Sequence, residues 1–168
     1  MSRTLRARLL AALAGAAVAL TLSACGSAAP HDAGAQATAL VMKDPWVKTA
    51  ESGMSAAYGT LVNTGGKDVV VVSATSSVSP VMELHETTMV DGKMAMQPKA
   101  GGFTIPAGGS HEFKPGGDHL MLMDVKTPVK PGDEVTITLT LNDGGTMRFT
   151  ALGKDFAGGN ESYQPGAG

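Results

Sequence analysis

The chain has 168 residues, with 13 basic against 15 acidic, 43% apolar and 4% aromatic; about 150 residues make one domain, so two are not expected. A net charge of −2 without a Lys/Arg run longer than two lacks the basic patch of a nucleic-acid binder, and no nucleic-acid partner is expected. The 22 glycines carry no triplet period, which excludes collagen-like order, and the 10 methionines exceed what gap filling in one small core needs.

The N-terminus reads as an address. Arg3, Arg6 and Arg8 precede an uncharged run from Leu9 to Leu22, which has the length of a signal-peptide core and falls short of the roughly 20 residues of a spanning helix. The run ends in Leu22-Ser23-Ala24-Cys25, which resembles the bacterial lipobox, where cleavage before the cysteine is coupled to lipidation of its sulfur. Ordinary cleavage at a small-residue site is the alternative. The expectation is a signal peptide over 1–24 and a lipidated Cys25, hence an extracytoplasmic protein lipid-anchored to the outer face of the cell membrane. Loss of 1–24 removes three arginines and leaves 10 basic against 15 acidic residues, a net charge of −5. A lone cysteine makes no intramolecular disulfide, so the core alone must hold the fold.

Residues 25–38 have tether composition, and at about 5–6 Å times the square root of length they hold a domain roughly 20 Å from the membrane. The folded domain is expected at 39–153, with 154–168 a disordered tail. Within the domain the apolar period is two. Val69 to Val72 is a continuous β-branched run, suited to a strand covered on both faces. Val135, Ile137, Leu139 and Leu141 alternate with threonines, and Asn142-Asp143-Gly144-Gly145 then turns the chain into a second alternating run through Met147, Phe149 and Ala151, which reads as a hairpin. Further turn signals lie at Asn63-Thr64-Gly65-Gly66, Asp91-Gly92, Pro106 to Gly109, Pro115 to Gly117 and Pro131-Gly132. Seven to nine short strands and no helical period predict an all-β, antiparallel sandwich or barrel with Greek-key connections, with Trp46 and Tyr58 as packing residues.

Three segments carry soft or borderline donors. Along Val81 to His85, Met82 and Leu84 share one face, and Glu83 and His85 the other. Met94 and Met96 share a face just past Asp91-Gly92, so their strand pairs back towards His85. In His119 to Met123, His119, Met121 and Met123 alternate with Leu120 and Leu122. Two residues advance a strand by roughly 6.5 Å, so His119 and Met121 can converge on one ion while Met123 lies a further step inwards. Any single methionine here reads best as core filling. The set, imidazole and thioether without thiolate or clustered carboxylate, suits Cu(I) and suits zinc, calcium or magnesium poorly.

These residues also carry a family resemblance. Glu83-Leu84-His85, ten residues, Met96-Gln97-Pro98, then Ile105 to Gly109 and Pro115 to Met123 resemble the PCuAC-type periplasmic copper chaperones, whose pattern is His, ten residues, Met, about twenty-one residues, His-x-Met. Twenty-two residues separate Met96 from His119 here, and Asp118 stands where the family often has an aromatic residue. The likeness extends over most of 40–152, including Trp46 and Gly53 to Tyr58. It implies a cupredoxin-like or immunoglobulin-like sandwich holding one Cu(I) through His85, Met96, His119 and Met121, with Met94 and Met123 as auxiliary candidates. It also implies delivery toward the binuclear copper centre of cytochrome oxidase, or to an assembly factor, by ligand exchange.

Other classes fit less well. A blue-copper carrier needs a cysteine thiolate, and Cys25 is the sole cysteine. No Gly-x-Ser-x-Gly is present, and His31 and His111 fall in the tether and beside a turn, so an enzyme is not expected. The remaining rival is a lipoprotein interaction module whose methionines are core residues.

Overall fold

In the computed structural model, which describes residues 35–159 and 162–165, the period-two pattern becomes eleven strands among the described residues. They are β1 Leu40–Lys48, β2 Gly53–Asn63, β3 Val69–Ser76, β4 Met82–Val90, β5 Lys93–Pro98, β6 Phe103–Ile105, β7 Ser110–Phe113, β8 His119–Val125, β9 Glu134–Leu141, β10 Thr146–Lys154 and β11 Ser162–Tyr163. The hydrogen-bonded order is β11-β5-β4-β8-β2-β1-β10-β9-β3-β6, with β7 also on β2. Pairing is antiparallel except for β1 with β10 and β11 with β5. The expected leader and Cys25 lie outside the described residues, and no helix among the described residues is long and apolar enough to cross a membrane.

The sheet folds over on itself, because residues far apart in its order share one core. Val69 and Val71 of β3, Ile137 and Leu139 of β9, Leu61 of β2 and Leu120 and Leu122 of β8 are packed together and almost wholly buried. The β9–β10 hairpin forms as its alternation and Asn142-to-Gly145 turn predict, with Leu139 opposite Met147 and Ile137 opposite Phe149. At the Asn63 turn the buried amide donates to the carbonyls of Lys67 and Ile105 and accepts from the Gly65 N–H, so a polar side chain is satisfied inside the fold.

A bulge positions the aromatic wall of the site. The β1–β2 register shifts between Lys43 and Trp46, where Asp44 has φ 49° and Pro45 cannot donate to a ladder. Opposite lies Gly59, at φ 147°, where a Cβ would come 3.0 Å from the Lys43 carbonyl oxygen. The shift seats Trp46 opposite Tyr58, with ring centroids 4.5 Å apart.

Three expectations need correction. Val69 to Val72 is not covered on both faces: Val69 and Val71 enter the core while Val72 is exposed, because β3 carries β6 and β9 on its edges and packs on one side only. The last four residues of the expected tether, Ala35–Thr38, form one helical turn. Beyond Gly153 the chain is not a disordered tail in its described part, since β10 runs to Lys154 and Ser162–Tyr163 pairs with Ala95 and Met96 of β5. The backbone hydrogen bonds available along β5's outer edge account for that pairing.

Gly153 tests how tightly β10 is seated. A Cβ there would collide with the carbonyl oxygen of Lys130, whereas one at Gly66 meets open space. Gly153→Ala should cost about 1–3 kcal/mol and Gly66→Ala less than about 0.5, read from chemical denaturation midpoints.

Candidate metal centre

Antiparallel pairing of β4 with β8 sets His85 directly opposite His119, and Glu83 opposite Met121. The Asp91-Gly92 turn, with φ values of 50° and 77°, folds β5 back along β4 and puts Met96 opposite Thr87. Pairing of β8 with β2 places Met121 beside Ala56. Leu84, Leu120 and Leu122 enter the main core, so the alternate residues are driven to the other face of the same strands. There Met96, Met121, Ala56 and Tyr58 make a second, smaller buried cluster, with Trp46, Met123 and Tyr163 packed against it.

A cleft of about 230 Å³ opens over that cluster, lined by Met96, His119 and Met121 together with Lys48, Met54 and Tyr58. His85 stands behind it at 0% exposure, its ring edge-on to that of His119 with centroids 5.5 Å apart. The four residues singled out from the sequence therefore come together. The auxiliary candidates do not join them: Met94 is exposed and Met123, partly buried at the cluster's margin, does not line the cleft. Met123 is also less buried than Met121, not further inwards as its strand position suggests, since it packs only on the outside of the smaller cluster.

Hydrogen bonds assign the ring nitrogens. His119 Nδ1 donates to the Gly117 carbonyl at 2.8 Å, which puts the lone pair of the neutral ring on Nε2. His85 Nε2 lies 2.7 Å from Glu83 Oε2, and with its proton directed there the lone pair falls on Nδ1. Nδ1 of His85 is buried and has no hydrogen-bond partner in the structure. A buried nitrogen acceptor left unsatisfied is costly unless something else engages it, and a metal ion is one such partner. Two imidazole nitrogens and two thioethers form a soft donor set, whereas no group of three or more His, Cys, Asp or Glu side chains able to hold a metal occurs among the described residues.

The comparisons with known proteins point the same way. Residues 40–152 match the family described as "Putative lipoprotein LpqE-like". The chain belongs to the LpqE-like family. A relative in Leifsonia xyli subsp. xyli, "Putative lipoprotein Lxx21020", is 42% identical over 94% of this chain and 96% of its own. The solution structure of apo-DR1885 from Deinococcus radiodurans is 30% identical, covers 94% of this chain and 98% of that one, and superposes with a TM-score of 0.56. That of CuI-DR1885 from the same organism is 32% identical over 78% and 90%, with a TM-score of 0.53. The copper-bound PCuAC domain from PmoF2, at 16% identity, 70% and 94% coverage and a TM-score of 0.57, shares the fold. This LpqE-like chain is thus of the PCuAC type in architecture.

Sequence reasoning missed three neighbours of the site in the LpqE-like domain. Glu83 orients His85, and its same-face spacing of two residues was the available signal. Met54 brings a further thioether to the cleft. Tyr163 lies in the expected tail; burial, then the Glu83 carboxylate, pushes its phenol above the usual tyrosine range. Beyond the site, the Lys99 ammonium hydrogen-bonded to Glu86 holds that carboxyl below its usual value, tying β4 to the end of β5. His111, set aside in the sequence, packs against Phe103 and Phe113 with Asp118 3.0 Å away.

The burial pattern sets an order of oxidation. Under mild peroxide, Met89, Met54 and Met94, exposed by 63%, 51% and 44%, should form sulfoxide well before Met96 and Met121, exposed by 5% and 4%. Peptide mass mapping over time checks this.

Proposed function

We propose that the protein is an extracytoplasmic copper metallochaperone that holds one Cu(I) through His85, Met96, His119 and Met121 and passes it on by ligand exchange. The observation that carries this reading is the convergence of the two thioethers and His119 on one cleft, with the partnerless Nδ1 of His85 behind it. The Cu(I) form of a Deinococcus radiodurans relative at 32% identity supports the choice of ion. Delivery is toward a copper-accepting membrane protein, with the binuclear copper centre of cytochrome oxidase or one of its assembly factors as the recipient.

The residues divide the work. Thioethers carry no proton at ordinary pH, so Met96 and Met121 bind and release copper without proton movement, while the two imidazoles must be neutral to coordinate. Glu83 accepts a hydrogen bond from His85 Nε2–H and strengthens Nδ1 as a ligand atom. Tyr58, with Trp46 packed against it, supplies an aromatic wall beside the thioethers. Met54, at the exposed margin, offers a third thioether as copper leaves. Cys25, in this reading, carries the lipid that keeps the domain at the membrane surface.

Replacing Met96 and Met121 together with Leu should abolish competition for Cu(I) against a chelator while leaving weak Cu(II) or Zn(II) binding through the histidines. The Met→Leu changes conserve volume, so stability should fall by less than about 1.5 kcal/mol per site. Met94→Leu should bind Cu(I) like the parent. Retention of full Cu(I) affinity by the folded double variant would make the methionines packing residues and return the protein to the docking-module class.

Cys25→Ser tests the anchor separately. The variant should leave the membrane fraction and appear in the soluble extracytoplasmic fraction, with metal binding unchanged. A variant that fractionates with membranes as the parent does would refute lipidation.

A further inference from the structure

The family match ends at residue 152, yet the chain beyond it returns to the metal centre. Phe156 packs edge-on against Trp46, with centroids 5.5 Å apart at 72°. The Gly158 carbonyl accepts a hydrogen bond of 2.6 Å from Lys48 Nζ, and Gly159 lines the cleft. Ser162 and Tyr163 then pair in parallel with Ala95 and Met96, and the Gln164 N–H donates to the Met96 carbonyl at 2.8 Å. That pairing lays the Tyr163 ring flat on the His85 imidazole, 5.4 Å between centroids and 1° from parallel. The Tyr163 hydroxyl lies 3.4 Å from Glu83 Oε2, the same oxygen that holds His85 Nε2.

None of residues 155–159 or 162–165 is His, Met or Cys, so this segment brings no soft donor of its own. Its effect falls on His85. An imidazole held only by one hydrogen bond at its edge can still swing about the bond to its β-carbon. A second ring stacked on its face removes that freedom and covers it from water, consistent with 0% exposure. Groups that orient a metal-binding histidine are worth about 10–100-fold in affinity when removed.

We propose that the C-terminal segment is a clasp on the copper site, with Tyr163 as a positioning residue that fixes His85 and slows the escape of Cu(I). The proposal rests on the Cu(I) reading above. The clasp closes the His85 side of the centre and leaves the Met54 side open, so exchange with a recipient starts at the thioethers and His85 lets go last.

The test compares the mature full-length chain with Tyr163→Ala, Tyr163→Phe and Gln164→Pro. The last removes the hydrogen bond to Met96 while leaving the side chains of the site intact. Copper stoichiometry is measured by anaerobic titration, and release by the rate at which excess bathocuproine disulfonate strips Cu(I). The emission of Trp46, the sole tryptophan, reports in the metal-free protein whether Phe156 is still seated. The parent should bind one Cu(I). Tyr163→Ala and Gln164→Pro should release it about tenfold or more faster, and Tyr163→Phe, which keeps the stacked ring, within about twofold of the parent. The Gln164→Pro variant should also shift Trp46 emission to the red. Parental release rates in Tyr163→Ala and Gln164→Pro, with one Cu(I) bound and the fold intact by circular dichroism, would overturn the clasp alone. A parent that binds no Cu(I) would overturn the copper reading and the clasp with it. Should Tyr163→Ala fail to fold, Gln164→Pro decides.

Discussion

The register of β4 against β8 is the constraint on which the rest of the site depends. Because side chains alternate across a strand, a slip of one residue would turn one strand over relative to the other: a flipped β4 would send His85 into the main core in exchange for Leu84, and a flipped β8 would send in His119 and Met121 in exchange for Leu120 and Leu122. Burying a leucine is worth roughly 1.5–3 kcal/mol, so three of them on one face hold the donors on the other. The energy that fixes the proposed metal centre is therefore spent on the far side of the sheet. Substitution of a donor disturbs the register little, which is why volume-conserving changes at Met96 and Met121 can separate metal chemistry from folding.

That separation also explains the methionine content. Met42, Met82 and Met147 pack against the main core and do the ordinary work of filling irregular gaps. Met89 and Met94 face each other across the β4–β5 hairpin and stay exposed. Met96 and Met121 belong to neither group, since they are buried in a cluster of their own against Tyr58. Composition shows the surplus, and position divides it into three uses. A soft, polarizable side chain packed on an aromatic ring meets the needs of packing and, in the proposed reading, of a soft cation.

Much of this was legible in the sequence, for physical reasons. Strict alternation in Val135 to Leu141 specifies a one-sided strand, and the Asp91-Gly92 turn fixes the β4–β5 pairing, so the faces of His85 and Met96 follow from local rules. What stayed hidden depends on contacts between distant segments. Four consecutive valines read equally well as a strand covered on two faces, and only the position of β3 in the sheet leaves Val72 outside. The parallel pairing of β1 with β10 and of β11 with β5 has no local signal at all. Gly-rich composition beyond Gly153 made the chain end look like a tail, while Phe156 and Tyr163, the two rings that tie it down, are single residues without periodicity. Glu83 was visible as a neighbour of His85, but its role needs the bond from Nε2.

Charge placement keeps carboxylate oxygen out of the cleft lining. Glu83 sits behind His85 and does not line the cleft, so its charge acts through a hydrogen bond while the cleft keeps neutral donors. A carboxylate among the thioethers would draw harder ions. Lys48 lines the same cleft, fastened to the Gly158 carbonyl, and brings a positive charge to its wall. In the proposed reading, soft neutral donors favour Cu(I) by bonding, and keeping the Glu83 carboxylate behind His85 withholds a hard oxygen from Cu(II) and Zn(II).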